Sequence, residues 1–204
     1  MRYAVDHKNQ SRERIVTVAS KQFRAKGSEN VRVADVMKSA GLTHGGFYKH
    51  FSNKDQLFRE AVESALAQIA AQLMELAGGL SRVEALKMVI ATYLSEDHMQ
   101  HPDLGCALAA MGTELTRMPR TMKTAVSKAL DAYAERLDFL MPGQTAEQRR
   151  AAFLVLFPSM AGCITVARAY ACKERQRQIL AAGRVFFEQA FCREQAPAFL
   201  ETLQ

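Results

Sequence analysis

An all-α fold of about nine helices is what this 204-residue chain predicts, on three observations. Apolar residues recur at i, i+3, i+4 and i+7 along most of its length. No stretch alternates Val, Ile or Thr with polar residues in the two-residue period of a strand. The breaks between the periodic segments fall at glycines and prolines: Gly27, Gly41, Gly78-Gly79, Pro102, Pro119 and Pro142-Gly143. With 49% hydrophobic and 24% charged residues, the composition is that of a globular chain able to bury a core.

Residues 1–10 read as a polar arm, after which Ser11 caps a first helix. Ile15, Val18, Ala19 and Phe23 form its stripe and Gly27 stops it. A loop from Ser28 to Arg32 leads to a second helix with Val33, Val36, Met37 and Ala40 on one face, ended by a left-handed break at Gly41. Thr43 is the N-cap of a very short third helix. Phe47 and Phe51, four residues apart, anchor it to the core. Ser52 with Asp55 resembles a capping box. It opens a long fourth helix with Leu57, Phe58, Ala61, Val62, Ala65, Leu66, Ile69 and Leu73 inward, ending at Gly78 and Gly79. Further helices are expected near 82–99, 105–116, 119–140, 145–172 and 174–192, with breaks at Pro102, Pro119 and Pro142-Gly143. Residues 151–167 carry no charge. The run includes Pro158, Ser159 and Thr165 and is shorter than the roughly 20 apolar residues a bilayer span needs. It reads as a helix buried on several sides, with no membrane partner.

Charge locates the candidate site. Residues 1–60 hold 12 Lys/Arg against 6 Asp/Glu, whereas residues 61–204 hold 15 of each, so the whole formal excess of +6 sits at the N-terminal end. A basic N-terminal segment on a neutral body is the electrostatic footprint of a nucleic-acid reader. The stretch from Gly41 to Phe51 lies inside it. A helix too short to stand alone, propped by two neighbours and presenting aromatic, basic and hydrogen-bonding groups, suits the major groove as the reading element of a helix-turn-helix. Gly45 and Gly46 inside a helix cost about 1 kcal/mol each relative to alanine. Close approach of the backbone to phosphates or base edges gives that cost a reason. Thr43, Tyr48 and His50 can donate to phosphate oxygens, and Lys49 suits phosphate or guanine. Lys54, a cation opposing the dipole at the start of the fourth helix, makes sense if it faces phosphate. Arg32, ahead of the second helix, is a further phosphate candidate.

No histidine combines with acids and a nucleophile into a triad, so no catalytic residue is assigned and no enzyme is expected. The four cysteines (Cys106, Cys163, Cys172, Cys192) lack the spacing of a zinc or dithiol motif. No metal and no cofactor is therefore implied. Met1 to Gln10 is polar throughout and does not read as a signal peptide, which makes the cytoplasm the expected location and free thiols the expected state.

Several elements occur together at fixed spacing: Ala19 and Phe23 before Gly27; Val33-Ala34-Asp35-Val36; Ala40-Gly41-Leu42-Thr43; and Phe47-Tyr48, His50-Phe51, Lys54-Asp55 and Leu57. With them the chain resembles the tetracycline-repressor (TetR) family of bacterial transcription regulators over roughly residues 10–60. The resemblance implies a helix-turn-helix DNA-binding domain over 1–58 and a helical effector-binding and dimerisation domain over 59–204. Its partners would be a double-stranded DNA operator, a second copy of the chain and a small-molecule effector. Positions Thr43, His44, Gly45, Tyr48, Lys49, His50 and Lys54 match those that commonly meet DNA in the family, and Gly46 belongs to the same turn. His44 and Gly46 depart from the residues often found there, so base preference does not carry over.

For the second domain the resemblance implies pairing of the last two long helices across a two-fold axis. Phe153, Phe157, Ala161, Ile164, Phe186 and Phe187 are candidates for that interface. Met74, Met88, Met111, Met122 and Met160 are candidate pocket lining, since thioethers adapt to varied shapes. Cys106 joins them at a helix start, where the dipole favours thiolate and oxidation could release DNA. The leading expectation is a dimeric repressor released from a palindromic operator by its effector. The alternatives are a DNA-bound adaptor acting through a protein partner, and a cysteine-based redox or electrophile sensor of the same fold.

Overall fold

The computed structural model describes residues 2–193 and Leu200, with side chains from Lys8 onward. Nine α-helices and two 3-10 segments make up the described residues, and the expected all-helical class holds. By contact the chain divides into two compact units. One is formed by Met1–Ala67 with Pro102–Ala129, the other by Gln68–His101 with Leu130–Gln204.

In the first unit, α1 (Arg2–Lys26) buries Ile15, Ala19 and Phe23, as the stripe predicts. It does not begin at Ser11. No glycine or proline interrupts residues 2–10, so a helix already nucleated by the core face propagates backward through them. Ser11 is thereby an interior, buried residue rather than a cap. Helix α2 (Val33–Ser39) buries Val36 and Met37. Its end is a Schellman motif: Gly41, at φ +72°, donates to the Lys38 carbonyl at 3.0 Å and Leu42 donates to that of Met37 at 2.9 Å. The chain then reverses into a 3-10 helix, His44–Lys49. Phe47 and Phe51 are buried and stack at 5.5 Å between centroids.

Helix α3 (Lys54–Ala77) follows. Its cap is shifted one residue from the expected Ser52: Asn53 Oδ1 accepts the Gln56 N–H at 2.8 Å, and Gln56 Oε1 accepts the Ser52 N–H at 2.8 Å. Asparagine caps as well as serine, and the longer glutamine reaches back where Asp55 is too short. Phe58 of α3 meets Phe23 of α1 edge-to-face at 5.1 Å.

Helix α6 (Ala107–Arg117) packs on α1. Two bonds stitch them. The buried Arg24 donates to the Gly105 carbonyl at 2.6 Å. The Glu114 carboxylate accepts the Ser28 N–H at 2.9 Å, close enough that a Cβ on Gly27 would lie 2.7 Å from it.

The second unit contains α4 (Arg82–Tyr93), α5 (Glu96–Gln100), α8 (Ala146–Ala169) and α9 (Lys173–Phe191). It also takes the end of α7 (Arg120–Arg136) and a 3-10 turn, Asp138–Leu140. The single helix expected over 82–99 is two, because Ser95 Oγ accepts the His98 N–H at 3.1 Å and starts a new helix. The helix expected to reach residue 140 stops at Arg136, and Asp138 in the following turn pairs with Arg149 at 2.7 Å. An aromatic cluster fills this core. Tyr133 meets Phe153 and Phe157 edge-on at 5.5 Å each, and Tyr93 meets Phe157 at 6.1 Å. Helix α8 is long and apolar enough to cross a membrane by length and composition. One face of it packs on α9 instead.

Candidate nucleic-acid interface

The proposed reading element is built by its neighbours. Six residues of 3-10 helix have poor hydrogen-bond geometry and no independent stability. Phe47 and Phe51 tie this one to the core, and α1 grips its end. The Arg12 guanidinium donates to the His50 carbonyl and to Glu60 Oε1 (2.6 Å), and lies 4.4 Å from the centre of the Phe51 ring. Held this way, the turn presents Thr43, His44, Gly45, Tyr48 and Lys49 exposed, with Tyr48 at 71%. Gly46, His50 and Lys54 are half-buried, and Arg32 stands exposed at the N-cap of α2.

Thr43 occupies the N-cap position, yet its hydroxyl makes no cap bond and stays available to an outside acceptor. A Cβ on Gly45 would meet nothing within 4 Å, and one on Gly46 only ordinary contacts with Met37 and Thr43. The protein's own packing therefore gives no reason for the two glycines, and close approach from outside remains as the physical one.

Thr43, Gly46, Lys49 and His50 line a recess of about 570 Å³ together with Lys8 and Ser11 of α1. Met37 and Leu42 supply its apolar wall. Burial first, and then the charges of Lys8, Arg12 and Lys49, hold the His50 imidazole below its usual pKa. Its Nδ1 is buried with no hydrogen-bond partner, so a second proton there would be unsatisfied as well. Both effects favour the neutral imidazole. Lys8 lines the recess but is not among the candidates that the sequence offered. The signal was its spacing from Ser11 and Arg12, three and four residues on, which puts all three on one face of a helix.

The candidate pocket residues are divided between the units. Cys106, Met111 and Met122 are buried in the first, whereas Met160 is buried and Met74 and Met88 are exposed in the second. Of the candidate interface residues, Phe153, Phe157, Ala161, Ile164 and Phe187 are buried within the chain, whereas Phe186 is 63% exposed. The exposed face of α8 lies beside them: Leu154, Val155, Pro158, Gly162 and Val166.

Cys106 is the N-cap of α6, but at 2% exposure it is shielded from reagents. Cys172 is exposed. Burial raises the pKa of the Cys163 thiol and, as the largest cause, pushes that of Cys192 to about 11. With a disulfide reagent on native protein, Cys172 is expected to react at once, and Cys106 and Cys192 at the rate of unfolding. Rapid labelling of Cys106 would show that the first turn of α6 opens, as the sensor reading requires.

Residues 15–61 match the family model described as bacterial regulatory proteins, tetR family. An uncharacterized HTH-type transcriptional regulator of Mycobacterium tuberculosis is 33% identical over 104 residues, which is 50% of this chain and 52% of that protein. The match thus spans about half the length of that relative. Among solved structures, a TetR transcriptional regulator from Legionella pneumophila superposes with a TM-score of 0.70 at 18% identity, covering 88% of this chain and 96% of that one. FadR of Bacillus subtilis in complex with stearoyl-CoA does so with a TM-score of 0.57 at 18% identity, covering 86% and 96%. Motif, spacing and turn geometry agree with that match, so residues 15–61 form a helix-turn-helix domain of the TetR type, and the superpositions show that the chain shares its overall fold with these regulators.

Proposed function

We propose that the chain is a dimeric repressor that holds a roughly palindromic operator and is released by a small-molecule effector. Residues 1–58 read DNA and residues 59–204 carry dimerisation and effector binding. The observation that carries this reading is the Gly41–Phe51 turn: buried through Phe47 and Phe51, glycine-bearing where it is exposed, and lined with donors and cations beside a recess with no acid among its described lining. Two copies in successive major grooves would stand about 34–36 Å apart, or a multiple of that.

Dimerisation through α8 and α9 is supported by the stripe from Leu154 to Val166 with Val185 and Phe186, which leaves large apolar side chains exposed and no charge among them. That a protein of this fold holds stearoyl-CoA supports an effector for this chain. The effector need only favour a dimer spacing that misfits the groove, a coupling of roughly 1–3 kcal/mol. Action on an operator places the protein in the cytoplasm.

Selection from random duplex DNA at moderate salt tests the reading. A dyad-symmetric site is expected, with affinity falling steeply as salt rises. Recovery of no symmetric site would count against it.

A further inference from the structure

The recess beside the turn offers more than the turn alone. Its polar lining comes from two elements: Lys8 and Ser11 from α1, and Thr43, Lys49 and His50 from the turn. On α1, residues 8, 11, 12 and 15 share a face. Ile15 is fully buried and fixes the helix, Arg12 grips the His50 carbonyl, Ser11 is buried in the recess wall and Lys8 reaches its exposed rim. The charge of Arg12 is already met by Glu60. Among the described residues, Lys8 and Lys49 make no ion pair. Among the described residues, two cations without an ion-pair partner, a hydroxyl and an imidazole thus converge in a lining that holds no carboxylate, which is a site of positive potential suited to an anion.

Resting on the DNA-binding reading above, we propose that this recess seats one backbone phosphate of the bound duplex, with Lys8 of α1 as its second cation beside Lys49. Thr43 and His50 supply neutral donors, and Arg12 is the positioning residue that holds the turn against α1 so that the seat is formed before DNA arrives. The seat makes α1 a direct part of the DNA contact. Burial is the first cause of the lowered His50 pKa, and the charges of Lys8, Arg12 and Lys49, which add to it, are those a seated phosphate would meet.

Lys8→Gln tests this, with Lys21→Gln, an exposed lysine of α1 that does not line the recess, as control. Lys8→Gln is expected to weaken operator binding about tenfold at low salt, the loss of one charge-assisted bond. The slope of log affinity against log salt should fall by about 0.9, one phosphate's worth, on operator and random duplex alike. The control should leave affinity and slope unchanged. Scanning a neutral methylphosphonate along one strand of each half-site then asks whether the seat is single. The effects of Lys8→Gln and Lys49→Gln should both vanish at the same modified phosphate. If wild-type protein and Lys49→Gln behave as a DNA reader requires while Lys8→Gln is silent, the seat is overturned and the DNA-binding reading stands. If Lys8 and Lys49 couple to different phosphates, the shared seat is overturned. If the wild-type protein binds no duplex, both fall.

Discussion

Replacing Phe47 by alanine is expected to abolish operator binding while most of the helical fold survives. The ring is 1% exposed, stacks on Phe51 and meets Tyr48 edge-on at 5.3 Å. Truncating a buried phenylalanine costs about 3–5 kcal/mol, against a total stability of roughly 5–15 kcal/mol for a typical protein. A 3-10 helix of six residues cannot absorb that loss, because its own hydrogen bonds do not hold it. Helices α1, α2 and α3 keep their other buried residues, so circular dichroism should stay near wild type. The thermal midpoint should fall by roughly 10 °C, at about 2–4 °C per kcal/mol for a chain of this size. Phe47→Leu, which keeps most of the apolar volume, should restore a large part of both stability and binding. Wild-type DNA affinity in Phe47→Ala would mean that the turn is not what reads the duplex.

A charge placed on the exposed face of α8 should have an effect of comparable size by a different route. Val166 is 51% exposed, in line with Gly162 and Pro158 on a face without charged residues. In a monomer Val166→Glu meets only water, and glutamate is a good helix former, so the chain should stay folded. In a dimer the carboxylate would be desolvated without a partner, which interfaces do not tolerate. Analytical ultracentrifugation should then report a monomer. Operator affinity should fall by about two to four orders of magnitude, because the second half-site contact loses its effective concentration. The reciprocal change on α9, Phe186→Glu, should do the same. An intact dimer in both variants would place the interface on another surface.

The DNA-reading part was legible in the sequence because its signals are local. Gly41 announces the left-handed residue of the Schellman turn, and Phe47 and Phe51 announce the anchored face, each within a few residues of the structure it dictates. Competition between equivalent signals produced the misplacements. Asn53 and Ser52 both cap well, and only the reach of Gln56 decides between them. Ser95 can cap or sit inside a helix, and the sequence does not say which. Helix α8 is apolar nearly all round, so its periodicity cannot tell the face that packs internally from the face left exposed. The largest rings, Phe153 and Phe157, went to the internal face. Lys8 was hidden because a polar segment without core residues looks like an arm until the helix behind it extends through it.

The stitching of α6 to α1 has a consequence for anyone wishing to transplant the reading head. A fragment cut after the first α3 turns would carry the buried Arg24 without its Gly105 acceptor, and the Ser28 N–H without the Glu114 carboxylate. With the segment that carries α6 removed, α1 loses these two bonds and the face of α6 packed on it, and Arg24 keeps only its bond to the Ser20 carbonyl. The portable cassette is therefore discontinuous in sequence. A chimera that swaps operator preference should take Pro102–Ala129 along with the N-terminal helices, or keep Gly105 and Glu114 in the recipient frame.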